Sequence, residues 1–164
     1  MNSPTPARGQ TTRSSTPLNS KAGKYSRKER ERRFLLSGEA PNSTDRVQII
    51  DRYINRTRLR LRSVDGIVWK LAKIEDIEPG VKRITNLYLS REEFDLLATL
   101  PAREARKERS RVDHQGVQWA IDIYESGVII CEVEIEPEDQ IAIPDWCGEE
   151  VTGNPGYSGF ALAE

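Results

Sequence analysis

The feature that most constrains this chain is a repeat of period two in which whole strand faces carry one sign of charge. In residues 56–62, Arg58, Arg60 and Arg62 alternate with Thr57, Leu59 and Leu61, and in 105–112 Lys107, Arg109 and Arg111 share a face. In 128–136, Glu132, Glu134 and Glu136 oppose Cys131, Val133 and Ile135; in 117–125, Trp119, Ile121 and Ile123 oppose Ala120, Asp122 and Tyr124. The stretch RKERERRFLL places Glu29, Glu31 and Arg33 at alternate positions just before Phe34. Side chains at i, i+2 and i+4 share one face of a strand. A sheet with one solvated face is the simple arrangement, but solvated faces mix signs because like charges directly opposite destabilise a ladder. A closed barrel with a polar interior sets the cationic arms against the anionic ones, and eight strands can close around a small ligand.

The remaining patterning supplies such strands. Residues 46–54, 56–62, 67–74 and 83–89 read as extended segments, with a hairpin turn at Ser63-Val64-Asp65-Gly66. Ser90 is placed to cap a helix, with Glu93 as its capping-box partner and Pro101 beyond its end. Residues 105–112, 117–125 and 128–136 give further strands, the first two joined near His114-Gln115-Gly116. Short helices and loops are expected from Pro137 onward. The whole reads as mainly β (α+β), an eight-stranded antiparallel barrel with one to three flanking helices.

Length fits one domain. Residues 1–24, basic and rich in Ser, Thr and Pro, bury too little apolar surface to offset ordering, so a disordered tail is expected before a domain over 25–164. Weak contact with a polyanion is the most such a tail would add, and nucleic acid is not the expected partner. No apolar run approaches the ~20 residues of a membrane span, and no secretory h-region opens the chain. Cys131 and Cys147 read as reduced core thiols of a cytoplasmic protein rather than a disulfide framework. Trp69, Trp119 and Trp146 read as core, and His114 as an exposed turn residue. The net charge of −1 conceals an asymmetry: after Arg111 no Lys or Arg follows, whereas twelve Asp and Glu do. Unequal halves of this kind can be complementary parts of one fold.

Carboxylates gathered in a lumen raise one another's pKa, a cost that a divalent cation reverses. Cations beside acid-bound metal are suited to gripping a phosphate chain, and oxygen donors without a Cys or His set favour Mg²⁺ or Mn²⁺.

In these motifs the chain resembles the CYTH domain, or triphosphate tunnel metalloenzyme, over nearly all of 29–162. The opening ExExK is matched by Glu29-Arg30-Glu31-Arg32-Arg33, with Arg for Lys; RxR by Arg58-Leu59-Arg60; a strand ending in Lys by WKLAK, ending at Lys73. KxR is matched by Lys107-Glu108-Arg109, the WxxD run and ExE strand by Trp119 to Asp122 and Glu132-Val133-Glu134, and a closing pattern by Pro144, Trp146, Gly148, Glu150, Val151 and Thr152. The resemblance implies a tunnel acting on triphosphate-containing substrates. Glu29, Glu31, Glu132 and Glu134 would hold Mg²⁺ or Mn²⁺. Arg33, Arg58, Arg60, Lys73, Lys107 and Arg109 would bind phosphates, and Glu29, Glu31 and Asp122 would serve catalysis by water attack. Alternatives are a tunnel that binds polyphosphate or nucleotide without cleaving it, and an adenylate cyclase of the class IV type. The expected partner is a triphosphate or polyphosphate small molecule, and the protein a monomer or homodimer. One departure stands out: hydrolytic members carry a second acidic pair on the strand after the Lys strand, where this chain is expected to place Thr85 and Leu87.

Overall fold

The computed structural model describes residues 25–164; the expected tail, residues 1–24, lies outside them. Strands β1 (Arg27–Leu36), β2 (Arg46–Ile54), β3 (Leu59–Val64), β4 (Val68–Glu78) and β5 (Val81–Leu89) precede the helix α1 (Arg91–Leu97). Strands β6 (Ala102–His114), β7 (Val117–Tyr124), β8 (Ile129–Glu134) and β9 (Cys147–Glu150) follow. Their hydrogen-bonded order is β5-β4-β3-β2-β6-β7-β8-β1-β9, and β5 also pairs with β1. That extra pairing closes eight antiparallel strands into a barrel. The N-terminal part of β1 carries β5, and its C-terminal part carries β8 on one edge and β9 on the other.

The hairpins form where the sequence supplies residues that tolerate positive φ. Asp65 and Gly66 turn β3 into β4 at φ 51° and 65°, and Gln115 and Gly116 turn β6 into β7 at 53° and 78°. Ser90 and Glu93 form the capping box, so α1 starts where expected; its Phe94 packs on Trp69 of β4. The short helices expected after Pro137 are replaced by an irregular run, the four-residue β9 and a 3₁₀ turn at Pro155–Tyr157.

Directly paired residues in adjacent strands share a face, so the pairings trace the lumen around the barrel. Glu29 pairs with Lys82, and Lys82 with Asp76. Ala72 pairs with Arg60, Arg60 with Tyr53, and Arg62 with Asp51. Asp51 pairs with Ala105, Lys107 with Tyr124, and Arg109 with Asp122. Ala120 pairs with Glu132, Glu132 with Arg33, and Glu134 with Glu31, which closes the circuit.

The apolar alternates therefore lie outside. Phe34, Trp119, Ile121, Cys131 and Val133 form a buried cluster under Ile135, Ile141 and Trp146 of the segment after β8. Trp119 meets Trp146 edge to face at 5.3 Å and Phe34 at 5.9 Å. Each large apolar side chain so buried contributes on the order of 1.5–3 kcal/mol. The wall of a polar tunnel is thus held by an apolar coat on its outer surface. Cys131 and Cys147 are free thiols, and burial pushes them up to about 12 and about 11, so both stay protonated at neutral pH.

A second cluster fills one end of the lumen: Ala105, Tyr124, Ile130, Val151 and Ala163, with Tyr53, Tyr157 and Leu162 against it. The C-terminal segment is held there by reciprocal Glu104–Glu164 backbone hydrogen bonds of 2.8 and 3.0 Å. Arg33 donates to the Tyr157 carbonyl at 2.5 Å, and Arg103 to that of Ala163. No helix among the described residues is long and apolar enough to cross a membrane.

Candidate active site

Inside the barrel lies a cavity of about 410 Å³, closed in part by Ser158, Gly159 and Phe160 of the C-terminal segment. β1 supplies Glu29, Glu31 and Arg33; β3 supplies Arg60 and Arg62, with Arg58 just before it; β6 supplies Lys107 and Arg109; β8 supplies Glu132. Glu134 lines an adjoining space of about 270 Å³ that also touches Glu29, Glu31, Arg109 and Glu132. The structure therefore gathers nine of the eleven expected site residues along one continuous polar lumen. Lys73 and Asp122 are the exceptions.

Lys73 points out of the barrel. It pairs with Leu59 and Thr85, on the face opposite Arg60 and Ala72, and its ammonium lies 3.5 Å from Glu75. The inward positions of β4 are Lys70, Ala72, Ile74 and Asp76, the last two lining the cavity. The same phase corrects the reading of β5. Thr85 and Leu87 face outward, Leu87 being 56% exposed, while Lys82, Ile84, Asn86 and Tyr88 hold the inward positions. The lumen does lack carboxylates on β5, but at Ile84 and Asn86.

Asp122 reaches no cavity surface. It is 0% exposed, accepts from Lys107 Nζ at 2.5 Å and from Arg109 Nε and Nη2 at 2.6 and 2.7 Å. Burial opposes its charge, but Lys107 and Arg109 hold its carboxyl well below the usual range. It cannot contact an attacking water there, and it anchors two cations from behind. Asp51 repeats this on the other side, 1% exposed and clasped by Arg62 at 2.6 and 2.7 Å, with Arg60 Nε at 3.6 Å. Its carboxyl is likewise depressed, against burial, by Arg62 and Arg60. Arg62 is a wall residue, whereas Arg58 is the rim cation, bonded to Glu75 at 2.7 Å.

The sequence reading missed Asp51, Arg62 as a wall residue, Lys82, Tyr53 and Tyr124. Strand phase carried the signal for Arg62 and Lys82, since each falls two residues from an inward neighbour. Asp51 carried none, because a single Asp in RVQIIDRYI reads as an ordinary polar position.

The carboxylates are mostly occupied. Glu31 accepts from Lys82 at 2.6 Å, Glu132 from Arg109, and Glu134 from Arg27; Arg33 lies 3.5 Å from Glu132. Burial works against the Glu132 charge, yet Arg109 keeps its carboxyl below the usual value. Burial and the neighbouring Glu134 push that of Glu29 up. Among the described residues no three Asp, Glu, His or Cys side chains converge as metal ligands. Of the set expected to hold Mg²⁺ or Mn²⁺, Glu31, Glu132 and Glu134 are paired with Lys82, Arg109 and Arg27 in this arrangement, so a bound cation would take the place of these protein cations.

Among the described residues four buried side-chain polar atoms lack a hydrogen-bond partner, and two of them, Arg33 Nε and Arg60 Nε, belong to cavity residues. Buried donors are normally satisfied. Orphaned guanidinium donors beside a cationic wall suit an anionic ligand with several oxygens.

No family model matches the chain. It is 28% identical over 145 residues to the inorganic triphosphatase of Acetivibrio thermocellus, covering 79% of this chain and 89% of that one. The crystal structure of the inorganic triphosphatase NE1496 superposes with a TM-score of 0.61 at 24% identity, over 82% of this chain and 97% of that one. A Bacillus halodurans protein provisionally named an adenylate cyclase superposes at 0.52 with 16% identity, over 70% and 83%. At these identities the two structures speak for the fold alone.

Proposed function

We propose that the chain is a member of the CYTH, or triphosphate tunnel, family and that it hydrolyses a triphosphate-containing substrate, inorganic tripolyphosphate being the first to test. The observation that carries this is the cation-walled cavity in which the buried Nε–H groups of Arg33 and Arg60 make no hydrogen bond, Glu132 and Asp51 lying 3.5 and 3.6 Å from them. The relative named an inorganic triphosphatase supports the substrate class.

On this reading Arg33, Arg60, Arg62, Lys82, Lys107 and Arg109 bind the phosphate oxygens and offset the charge that moves onto the leaving group. Asp122 and Asp51 hold their cations in place. Glu29, whose carboxyl is raised by burial and by Glu134, orients the water and accepts its proton. The water oxygen bonds to the terminal phosphorus, the bridging P–O bond breaks, and pyrophosphate leaves with the bonding pair. Each cation–oxygen contact made in the transition state is worth about 3 kcal/mol. Because the carboxylates already hold protein cations, no step is assigned to a metal of the free protein; a divalent cation enters this reading only as part of the substrate complex.

A binding tunnel without turnover is the second reading, favoured by Ile84 and Asn86 at the inward positions of β5. Phosphate release from tripolyphosphate, measured with Mg²⁺, with Mn²⁺ and with EDTA, separates the two. Release that falls about a hundredfold in Arg60→Met supports the hydrolase. A loss below threefold removes Arg60 from the mechanism. No release, with a melting temperature that tripolyphosphate still raises, selects the binding tunnel.

A further inference from the structure

Two like charges are held together on β3 by one buried carboxylate. Arg60 and Arg62 sit two residues apart on the inward face, and both line the cavity. Behind them Asp51 of β2 pairs directly with Arg62 and takes its Nε–Nη2 edge in a two-pronged hydrogen bond of 2.6 and 2.7 Å. The same carboxylate lies 3.6 Å from Arg60 Nε, too far for a hydrogen bond, so that donor stays unmatched. Asp51 itself is absent from the cavity surface.

We propose that Asp51 is a positioning residue for phosphate binding: it fixes the plane of the Arg62 guanidinium beside Arg60 and leaves the Nη1 donors of Arg62 and the fork of Arg60 for the ligand. Planar forks recognise phosphate only in a defined orientation. Two arginines free to rotate would repel each other and would have to be ordered at the moment of binding. The inference rests on the reading of this cavity as a phosphate site, and concerns which residue readies it.

The sign of the effect makes the idea testable. By charge alone, removing a carboxylate near an anion site strengthens anion binding. Positioning demands the opposite. Tripolyphosphate affinity is measured by calorimetry, in EDTA and in Mg²⁺, for wild type, Asp51→Asn, Arg62→Met and the double variant, with melting temperatures alongside. The expected result is affinity about tenfold weaker in Asp51→Asn, with the double variant no weaker than Arg62→Met, since the two residues act as one unit. Affinity unchanged or stronger in Asp51→Asn, or additive losses in the double variant, overturns the proposal. If Asp51→Asn does not fold, Asp51→Glu replaces it: the charge is kept but displaced, and weaker affinity is again expected, equal affinity being the refuting result. Wild-type binding without phosphate release would end the hydrolase reading while leaving this test intact. An absence of binding would end both.

Discussion

Glu31 and Lys82 meet across the seam that closes the barrel, Oε1 to Nζ 2.6 Å apart, on strands paired one step away at Glu29 and Lys82. The same seam is fastened by the Glu31 amide donating to the Gly80 carbonyl at 2.8 Å. Gly80 sits at φ 73°, and a Cβ there would lie 2.8 Å from the Glu31 carbonyl oxygen, so the turn between β4 and β5 requires glycine. Lys82 is the internal counter-cation of a carboxylate group that would otherwise be self-repelling.

Lys82→Gln follows from this directly. It leaves Glu31 beside Glu29 and Glu134 with no ammonium, and the free variant is expected to bind Mn²⁺ more tightly than wild type by calorimetry. The lost pair, with both partners partly exposed, costs on the order of 1 kcal/mol of stability. Equal Mn²⁺ affinity in the two proteins would show that Lys82 does not hold the cation position.

Asp122→Ala tests the anchor on the other wall. Breaking a buried pair leaves Lys107 and Arg109 uncompensated, at a cost of about 3–5 kcal/mol. The melting temperature is expected to fall by on the order of 10 °C, measurable by calorimetry. A fall of only a degree or two would mean that Glu132 and water take over the pairing.

Acid sensitivity follows from Asp51 and Asp122 together. Both carboxyls are depressed in the folded protein, so they contribute stability that is fully present above the unfolded value of about 3.9 and lost as pH falls below it. Urea midpoints should be level in this respect from pH 7 to 5 and drop below pH 4, with a shallower drop in Asp51→Asn. An equal acid slope in the variant would remove Asp51 from the linkage.

Glu29 has the opposite sign. Its folded carboxyl is raised, so its ionisation weakens the fold as pH rises from about 4.3 through that raised value, above which the loss is complete. Glu29→Gln should therefore raise the melting temperature at pH 7 while lowering phosphate release. An unchanged melting temperature would show that Arg27 and Arg60 already balance its charge.

The barrel was legible because period two with single-signed faces has few solutions: the alternation that placed Trp119 and Ile121 opposite Asp122 also fixed which face was the lumen. Glu29, Glu31 and Arg33, and Lys107 and Arg109, lay inward for that reason. What failed was phase in β4 and β5. A two-residue periodicity is shifted wholesale by one residue of register, and WKLAKIED offers lysines at both parities, so motif matching chose Lys73 over Lys70. That choice carried Thr85 and Leu87 with it. Asp51 and the second role of Asp122 were invisible because burial and ion pairing of a lone carboxylate depend on the arginines that the fold brings to it.

The corrected phase makes its own prediction. Leu87 lies outside and is 56% exposed, so Leu87→Glu should leave tripolyphosphate affinity and phosphate release within twofold of wild type. Ile84 lies inside, buried and lining the cavity between Glu29's strand and Ile74. Ile84→Glu puts a new carboxylate among the phosphate-binding cations and should weaken tripolyphosphate binding in EDTA by tenfold or more. Part of that loss should return with Mn²⁺, because the new oxygen donors join Glu29 and Glu31 as ligands. If instead Leu87→Glu is the variant that alters binding and Ile84→Glu is silent, β5 is one residue out of register and the inward assignment of Lys82 falls with it.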